Sequence, residues 1–278
     1  VSIYGQSTCA ILDNGSLYCW GQNDYGILGV GSSTYVHSSP TFVDLGSGRS
    51  AISVRMGDTH ACAVLDNGTV KCWGENEYGM VTGIGHLDPL NSYSSPFATV
   101  NVTNESTKAV AVTVGDRFSC ALLDDGVIKC WGYNYPSGFG AEGGSYWIAN
   151  PTLVPLPGSN SAISISAGQH HLCAILSNNS LYCWGNNNLG EVGINSTTDQ
   201  STPAMVNLGG LGASSISLGY RHTCAVLTNG SLRCWGYNAY GQVGDGTTTN
   251  RLAPTDITLP GDSKVRLSER DFDGDGVL

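Results

Sequence analysis

An all-β chain, arranged as a β-propeller of about five four-stranded blades, is predicted by three observations. The stretch CAILDNGSLYCWG, from Cys9 to Gly21, recurs four times: at 62–74, 120–132, 173–185 and 224–236. Its first cysteines stand 53, 58, 53 and 51 residues apart, a period that suits a propeller blade with a long connection. Apolar residues alternate in short runs, and no stretch carries a helical period. With 38 glycines and only 12% charged residues, the composition belongs to a turn-rich β protein.

Within the repeat, Cys9-Ala10-Ile11-Leu12 and Ser16-Leu17-Tyr18-Cys19 read as two strands around Asp13-Asn14-Gly15. A three-residue hairpin loop of this kind ends in a left-handed residue, and glycine tolerates that conformation best. The position holds Gly15, Gly68, Gly126 and Gly230 in four copies and Asn179 in the remaining one. With Leu12 and Ser16 as the closing pair, Ile11 faces Leu17, Ala10 faces Tyr18 and Cys9 faces Cys19. That last pair is of the non-hydrogen-bonded type, with Cα atoms roughly 4.5 Å apart, at the short end of what a disulfide accepts. Five disulfides follow: Cys9–Cys19, Cys62–Cys72, Cys120–Cys130, Cys173–Cys183 and Cys224–Cys234. Each contributes about 3 kcal/mol in the chain-entropy model, less where the hairpin is preformed. Zinc sites need closer Cys pairs, which are absent. Disulfides of this kind imply an oxidising compartment, hence secretion or display at a cell surface.

A short strand precedes each hairpin, as in Ala51-Ile52-Ser53-Val54 and Ala162-Ile163-Ser164-Ile165, and a glycine follows it. A polar, glycine-rich loop follows Trp-Gly, then a strand led by Pro, as in Pro40-Thr41-Phe42-Val43. The repeats are expected to occupy residues 1–268, and 269–278 to form an acidic tail or the start of a calcium-loop-like stalk. The chain opens at Val1 in mid-pattern, and Lys264 to Ser268 matches the leading strand again. Those ends suit either closure at five blades or a segment of a larger propeller.

Two motifs carry a resemblance. Gly57-Asp58-Thr59-His60-Ala61-Cys62 resembles the Gly-x-x-His signature of the regulator of chromosome condensation repeats. The run from Trp235 to Gly246, WGYNAYGQVGDG, is similar to that family's Trp-Gly-x-Asn-x-x-Gly-Gln-Leu-Gly-x-Gly segment. The resemblance spans nearly the whole chain and implies a β-propeller. Family propellers usually have seven blades. Its nuclear members act as nucleotide exchange factors for small GTPases and lack the paired cysteines, whereas a secreted member inhibits β-lactamases. The resemblance therefore implies a secreted relative whose fold offers a protein-binding surface.

Charge narrows the partners. The net charge of −10 argues against nucleic acid and anionic membranes. No run of 18 apolar residues is present to span a bilayer. Seven N-x-S/T sequons, at Asn14, Asn67, Asn101, Asn104, Asn178, Asn195 and Asn229, are candidate glycosylation sites, although Asn-Gly followed by Ser or Thr also simply makes the turn. Asp271, Asp273 and Asp275 have the spacing of the first half of a calcium loop, or else belong to a solvated tail. His60, His171 and His222 recur two positions before a cysteine, as a structural hydrogen bond in each blade or as a ring of metal ligands. Tyr25, Tyr78 and Tyr240 share one loop position, either as an exposed recognition patch or packed between blades. No catalytic motif is present: there is no Gly-x-Ser-x-Gly, phosphate loop or His-Glu-x-x-His.

The expected function is a non-enzymatic extracellular binding or adhesion module, taking protein or carbohydrate on a loop face and needing no cofactor. The alternative is a self-associating structural subunit of an extracellular fibre or surface layer. A secreted inhibitor or an enzyme ranks below both.

Overall fold

The computed structural model describes residues 1–82, 92–96, 99–103, 106–134 and 147–265. The described strands form five antiparallel sheets, one per repeat. Blade 1 comprises β1 (Ser2–Tyr4), β2 (Ser7–Ile11), β3 (Leu17–Gln22) and β4 (Val36–Phe42). Blade 2 comprises β5 (Ala51–Met56), β6 (His60–Leu65) and β7 (Val70–Glu75); its outer position is shared by β8 (Ser92–Tyr93) and β9 (Thr99–Val100), both paired with β7. Blade 3 comprises β10 (Ala109–Val114), β11 (Phe118–Leu123), β12 (Ile128–Tyr133) and β13 (Trp147–Leu153). Blade 4 comprises β14 (Ala162–Ala167), β15 (His171–Leu176), β16 (Leu181–Gly185) and β17 (Gln200–Met205). Blade 5 comprises β18 (Ala213–Leu218), β19 (His222–Leu227), β20 (Leu232–Gly236) and β21 (Arg251–Asp256). Blades 1 to 3 make one compact unit, and blades 4 and 5 make another.

The hairpin register agrees with the sequence reading. Cys9 pairs with Cys19, Ala10 with Tyr18 and Ile11 with Leu17. The N–H of Leu12 donates to the Ser16 carbonyl at 2.9 Å, and that of Gly15 to the Leu12 carbonyl at 2.9 Å. The loop residue is left-handed in every copy, from φ 64° at Asn179 to 82° at Gly68. All five disulfides form, with Cα–Cα distances of 4.0–4.1 Å, and no cysteine is free. Six of the sulfur atoms, those of Cys9, Cys19, Cys62, Cys72, Cys173 and Cys183, thereby lie in the walls between blades.

The glycine after each tryptophan has a steric reason. Gly185 sits at φ 106°, and a Cβ there would lie 2.5 Å from the His170 carbonyl oxygen. The backbone bulges at this point, since the pairing of β16 with β17 shifts register between Cys183 and Gly185. Pro40, Pro203 and Pro254 all fall in outer strands, where a missing N–H leaves no ladder bond broken and the exposed edge is blunted.

The core consists of the layers between blades. One side of a blade offers its disulfide with branched aliphatics, and the next returns alanine, leucine and tryptophan. Between blades 1 and 2, Cys9, Leu17, Cys19 and Val43 meet Ala61, Ala63, Leu65 and Trp73. Blades 2 and 3 repeat this with Cys62, Val64 and Val70 against Ala121, Leu123 and Trp131. Blades 4 and 5 do so with Cys173, Ile175 and Leu181 against Ala225, Leu227 and Trp235. Burying one such tryptophan is worth several times a methylene's ~0.8 kcal/mol.

Val265 extends the pattern one step. Its N–H donates to the Gly230 carbonyl at 2.9 Å, as Ala51 does to Gly15 and Ala109 to Gly68. It therefore occupies the register position of Ala51, and the rest of the expected match, residues 266–268, lies outside the described residues.

Candidate binding face at the Trp-Gly loops

Strand direction divides each blade into two ends. The hairpin tips lie at one end. The Gly-x-x-His turn and the loop after Trp-Gly lie together at the other, because the leading strand runs towards it, the second strand leaves it and the third returns to it.

A buried asparagine holds the Trp-Gly loop in blades 1, 2, 4 and 5. Oδ1 of Asn187 accepts the Val192 N–H at 2.9 Å, while Nδ2 donates to the carbonyls of Ser196 at 2.8 Å and Thr198 at 3.0 Å. Asn23 makes the same bonds to Leu28, Ser32 and Thr34, and Asn238 to Val243, Thr247 and Thr249. In blade 2, Asn76 accepts from Val81. An amide has both donors and acceptor in one plane, so a single side chain satisfies a loop that has no ladder of its own.

The tyrosines on these loops do not form a uniform set. Tyr25, at φ 55°, is 56% exposed, and Tyr240 is 86% exposed with its ring edge on Tyr237. Tyr78 instead packs against the next blade. Its ring lies 4.9 Å from that of Tyr133, Arg117 stands over it at 5.2 Å, and Arg117 Nη1 donates to its hydroxyl at 3.1 Å. Both alternatives for this position are thus realised, in different blades.

The Gly-x-x-His turns interlock between neighbours, which sequence reasoning missed. Asp116 hydrogen-bonds to Asp58 of the preceding blade, and burial, then the Asp58 charge, push its carboxyl up against the opposing pull of Arg117. In the other unit, Gln169 Nε2 donates to the Tyr220 hydroxyl, and Arg221 donates to Gln169 Oε1 at 3.2 Å. The only available signal was that the residue after each glycine is polar in every copy: Gln6, Asp58, Asp116, Gln169 and Tyr220. A shallow cleft beside this turn in blade 1 is lined by Tyr4, Gln6, Gln22, Asp24, Ile27 and Asp58.

The structural hydrogen bonds of His60 and His171 run to the following blade. His60 Nε2 lies 2.8 Å from Ser119 Oγ, and His171 Nε2 lies 2.9 Å from Thr223 Oγ1. Thr223 in turn donates to the Glu191 carbonyl at 3.0 Å, so His171 must be the donor to Thr223. The same Glu191 carbonyl accepts the Trp235 indole N–H at 2.9 Å. Met80 supplies the matching carbonyl to Trp131 at 2.9 Å. Burial lowers the pKa of both His60 and His171 to about 3. Among the described residues no cluster of three metal-ligating side chains occurs, and His60 and His171 are committed to these clamps.

The described sequons are exposed at Asn14, Asn67, Asn101, Asn178, Asn195 and Asn229. Four stand at hairpin tips, where Oδ1 of Asn67 accepts from the Thr69 N–H at 3.1 Å and hydroxyl at 2.7 Å. Asn104 and the acidic positions Asp271, Asp273 and Asp275 lie outside the described residues.

One family model, the RCC1-like domain, matches residues 1–270. The chain belongs to this family. It is 28% identical over 250 residues to the ultraviolet-B receptor UVR8 of Arabidopsis thaliana, covering 90% of this chain and 55% of the receptor. It is 26% identical over 254 residues to the human E3 ubiquitin-protein ligase HERC2, covering 90% of this chain and 5% of the ligase. The chain thus spans about half of the first relative and a small part of the second. Among solved structures, human WBSCR16 superposes with a TM-score of 0.81 at 21% identity, covering 92% of this chain and 66% of that one. Yeast RCC1 (Prp20), in a structure bound to Kap60, gives a TM-score of 0.60 at 19% identity, covering 93% and 74%. These likenesses establish the fold. Propellers of this family are protein-binding modules.

Proposed function

We propose that this RCC1-like propeller is a non-catalytic extracellular or cell-surface binding module that takes a protein ligand on its Trp-Gly loop end. The observation that carries the reading is the pairing of all ten cysteines into five disulfides, with no thiol left over. Such a set is characteristic of an oxidising compartment. Protein is favoured over nucleic acid by the net charge of −10. It is also the ligand class of the yeast relatives, one bound to Kap60 and one described with Gsp1p and histones. Tyr25 and Tyr240 mark the loop end, because large exposed rings give contact area at small entropic cost. Glycans on Asn14, Asn67, Asn178 and Asn229 would project from the opposite end and leave the loops clear.

A photo-crosslinking residue placed at position 25 or 240, compared with position 13 or 228 on the hairpin tips, tests this reading. Capture of one defined extracellular protein from the loop positions alone supports it. Equal capture from both ends, or free thiols on most of the ten cysteines of native protein, overturns it.

A further inference from the structure

The junction between blades 2 and 3 holds an arginine. Arg117 follows Asp116 in the Gly-x-x-His turn of blade 3 and reaches the Trp-Gly loop of blade 2. Its guanidinium stands 5.2 Å from the centre of the Tyr78 ring, and Nη1 donates to the Tyr78 hydroxyl at 3.1 Å. The Glu77 carboxylate lies 4.0 Å from the same nitrogen.

The junction between blades 1 and 2 repeats the acceptors without the arginine. GQNDYG, from Gly21 to Gly26, matches GENEYG, from Gly74 to Gly79, so Asp24 stands where Glu77 does and Tyr25 where Tyr78 does. Gly57-Asp58-Thr59 matches Gly115-Asp116-Arg117, so Asp58 answers to Asp116 and Thr59 to Arg117. Backbone bonds fix both matches. Gly26 donates to the Asn23 carbonyl as Gly79 does to that of Asn76, and Glu75 donates to the Thr59 carbonyl as Tyr133 does to that of Arg117. Asp24 and Asp58 both line the cleft beside this junction, which has a volume of about 180 Å³ and Tyr4 on its wall.

The two carboxylates meet no cation among the described residues. Asp24 accepts from Gln22 Nε2, and Asp58 shares a hydrogen bond with Asp116. Tyr25 is 56% exposed, whereas Tyr78 is half-buried under Arg117. Two covered oxygens at the same turn also lack a donor: Thr59 Oγ1, and Oε2 of Glu75, whose N–H bonds to the Thr59 carbonyl. Both connections that flank the junction, 22–48 and 76–107, contain no lysine or arginine. Asp24, Tyr25, Asp58 and Thr59 stand between two blades that are both described, so their setting does not depend on what lies outside blade 1.

We infer that this cleft takes an arginine side chain of the protein ligand, with its guanidinium set between Asp24 and Asp58 and the Tyr25 ring laid against it, as Arg117 is held in the next junction. A guanidinium offers five donors in one plane, pairs with carboxylates and stacks on aromatic faces. Among the described residues no third ligating side chain joins the two carboxylates, so a flat cation with many donors suits them better than a metal ion. The inference rests on the binding-module reading and gives its loop end the chemistry of one ligand residue.

The test titrates the isotope-labelled full chain with N-acetylarginine amide and follows backbone amides by nuclear magnetic resonance. The citrulline analogue, which keeps the shape and loses the charge, is the control. Resonances of Asp24, Tyr25, Asp58 and Thr59 should shift saturably with the arginine probe and stay still with citrulline. Asp24→Asn/Asp58→Asn should weaken binding at least tenfold, with circular dichroism showing an intact fold. Thr59→Arg supplies the guanidinium from within the chain, as Arg117 does on blade 3, and should block the probe. Equal shifts from citrulline, wild-type affinity in either variant, or no saturable shift at these residues overturns the inference. Crosslinking from position 240 reads the binding module separately. Capture there that Thr59→Arg leaves unchanged overturns the arginine subsite alone, and no capture from wild type overturns the module.

Discussion

His60 Nε2 stands 2.8 Å from the hydroxyl of Ser119, a residue 59 positions later on the following blade. Both groups are fully buried, so the bond forms where neither can turn to water. His60→Ala and Ser119→Ala should each lower unfolding stability in urea by about 1–3 kcal/mol, because each leaves a buried polar partner unsatisfied. The double variant should cost less than the sum. Strict additivity would show that the pair is not coupled.

Acid should loosen the blades. His60 and His171 are held neutral, with pKa values of about 3 against an ordinary 6.5. A depressed folded pKa means that the unfolded chain binds the proton first. Their contribution to stability is therefore complete above about pH 6.5 and declines as pH falls towards 3, by roughly 1 kcal/mol per pH unit for each histidine. Melting temperatures of wild type and of His60→Gln/His171→Gln between pH 7 and 4 should converge as pH falls. Parallel curves would contradict this.

Asn187 carries a loop on three hydrogen bonds. Asn187→Ala should cost about 3 kcal/mol and open the segment 188–199 to proteolysis, read by limited digestion and mass spectrometry. Asn187→Asp keeps the acceptor but loses both donors, so it should not restore protection.

The three loop tyrosines should separate by packing. Tyr78→Ala removes the contacts with Tyr133 and Arg117 and should destabilise by about 1–2 kcal/mol in chemical denaturation. Tyr240→Ala, at an 86% exposed position, should stay within about 0.5 kcal/mol of wild type. Equal effects would show that exposure does not distinguish them.

Replacing one disulfide, as in Cys120→Ser/Cys130→Ser, should cost about 2 kcal/mol. That is below the loop-closure figure, because the left-handed Gly126 already preforms the hairpin.

Local chemistry is what the sequence determined. A three-residue turn ending in glycine dictates its own register, and register alone places Cys9 opposite Cys19, so the hairpins, disulfides and five repeats were legible residue by residue. Tertiary structure decided which partner lies 50 to 60 positions away. Nothing beside His60 announces Ser119, and nothing at Tyr78 distinguishes it from Tyr240, until the next blade arrives with Tyr133 and Arg117. The candidate loop face was therefore legible as a place but not as a set of exposed side chains. The reason is physical: a hairpin is closed by dihedral preferences within one turn, whereas burial depends on the wall that a distant repeat brings against it.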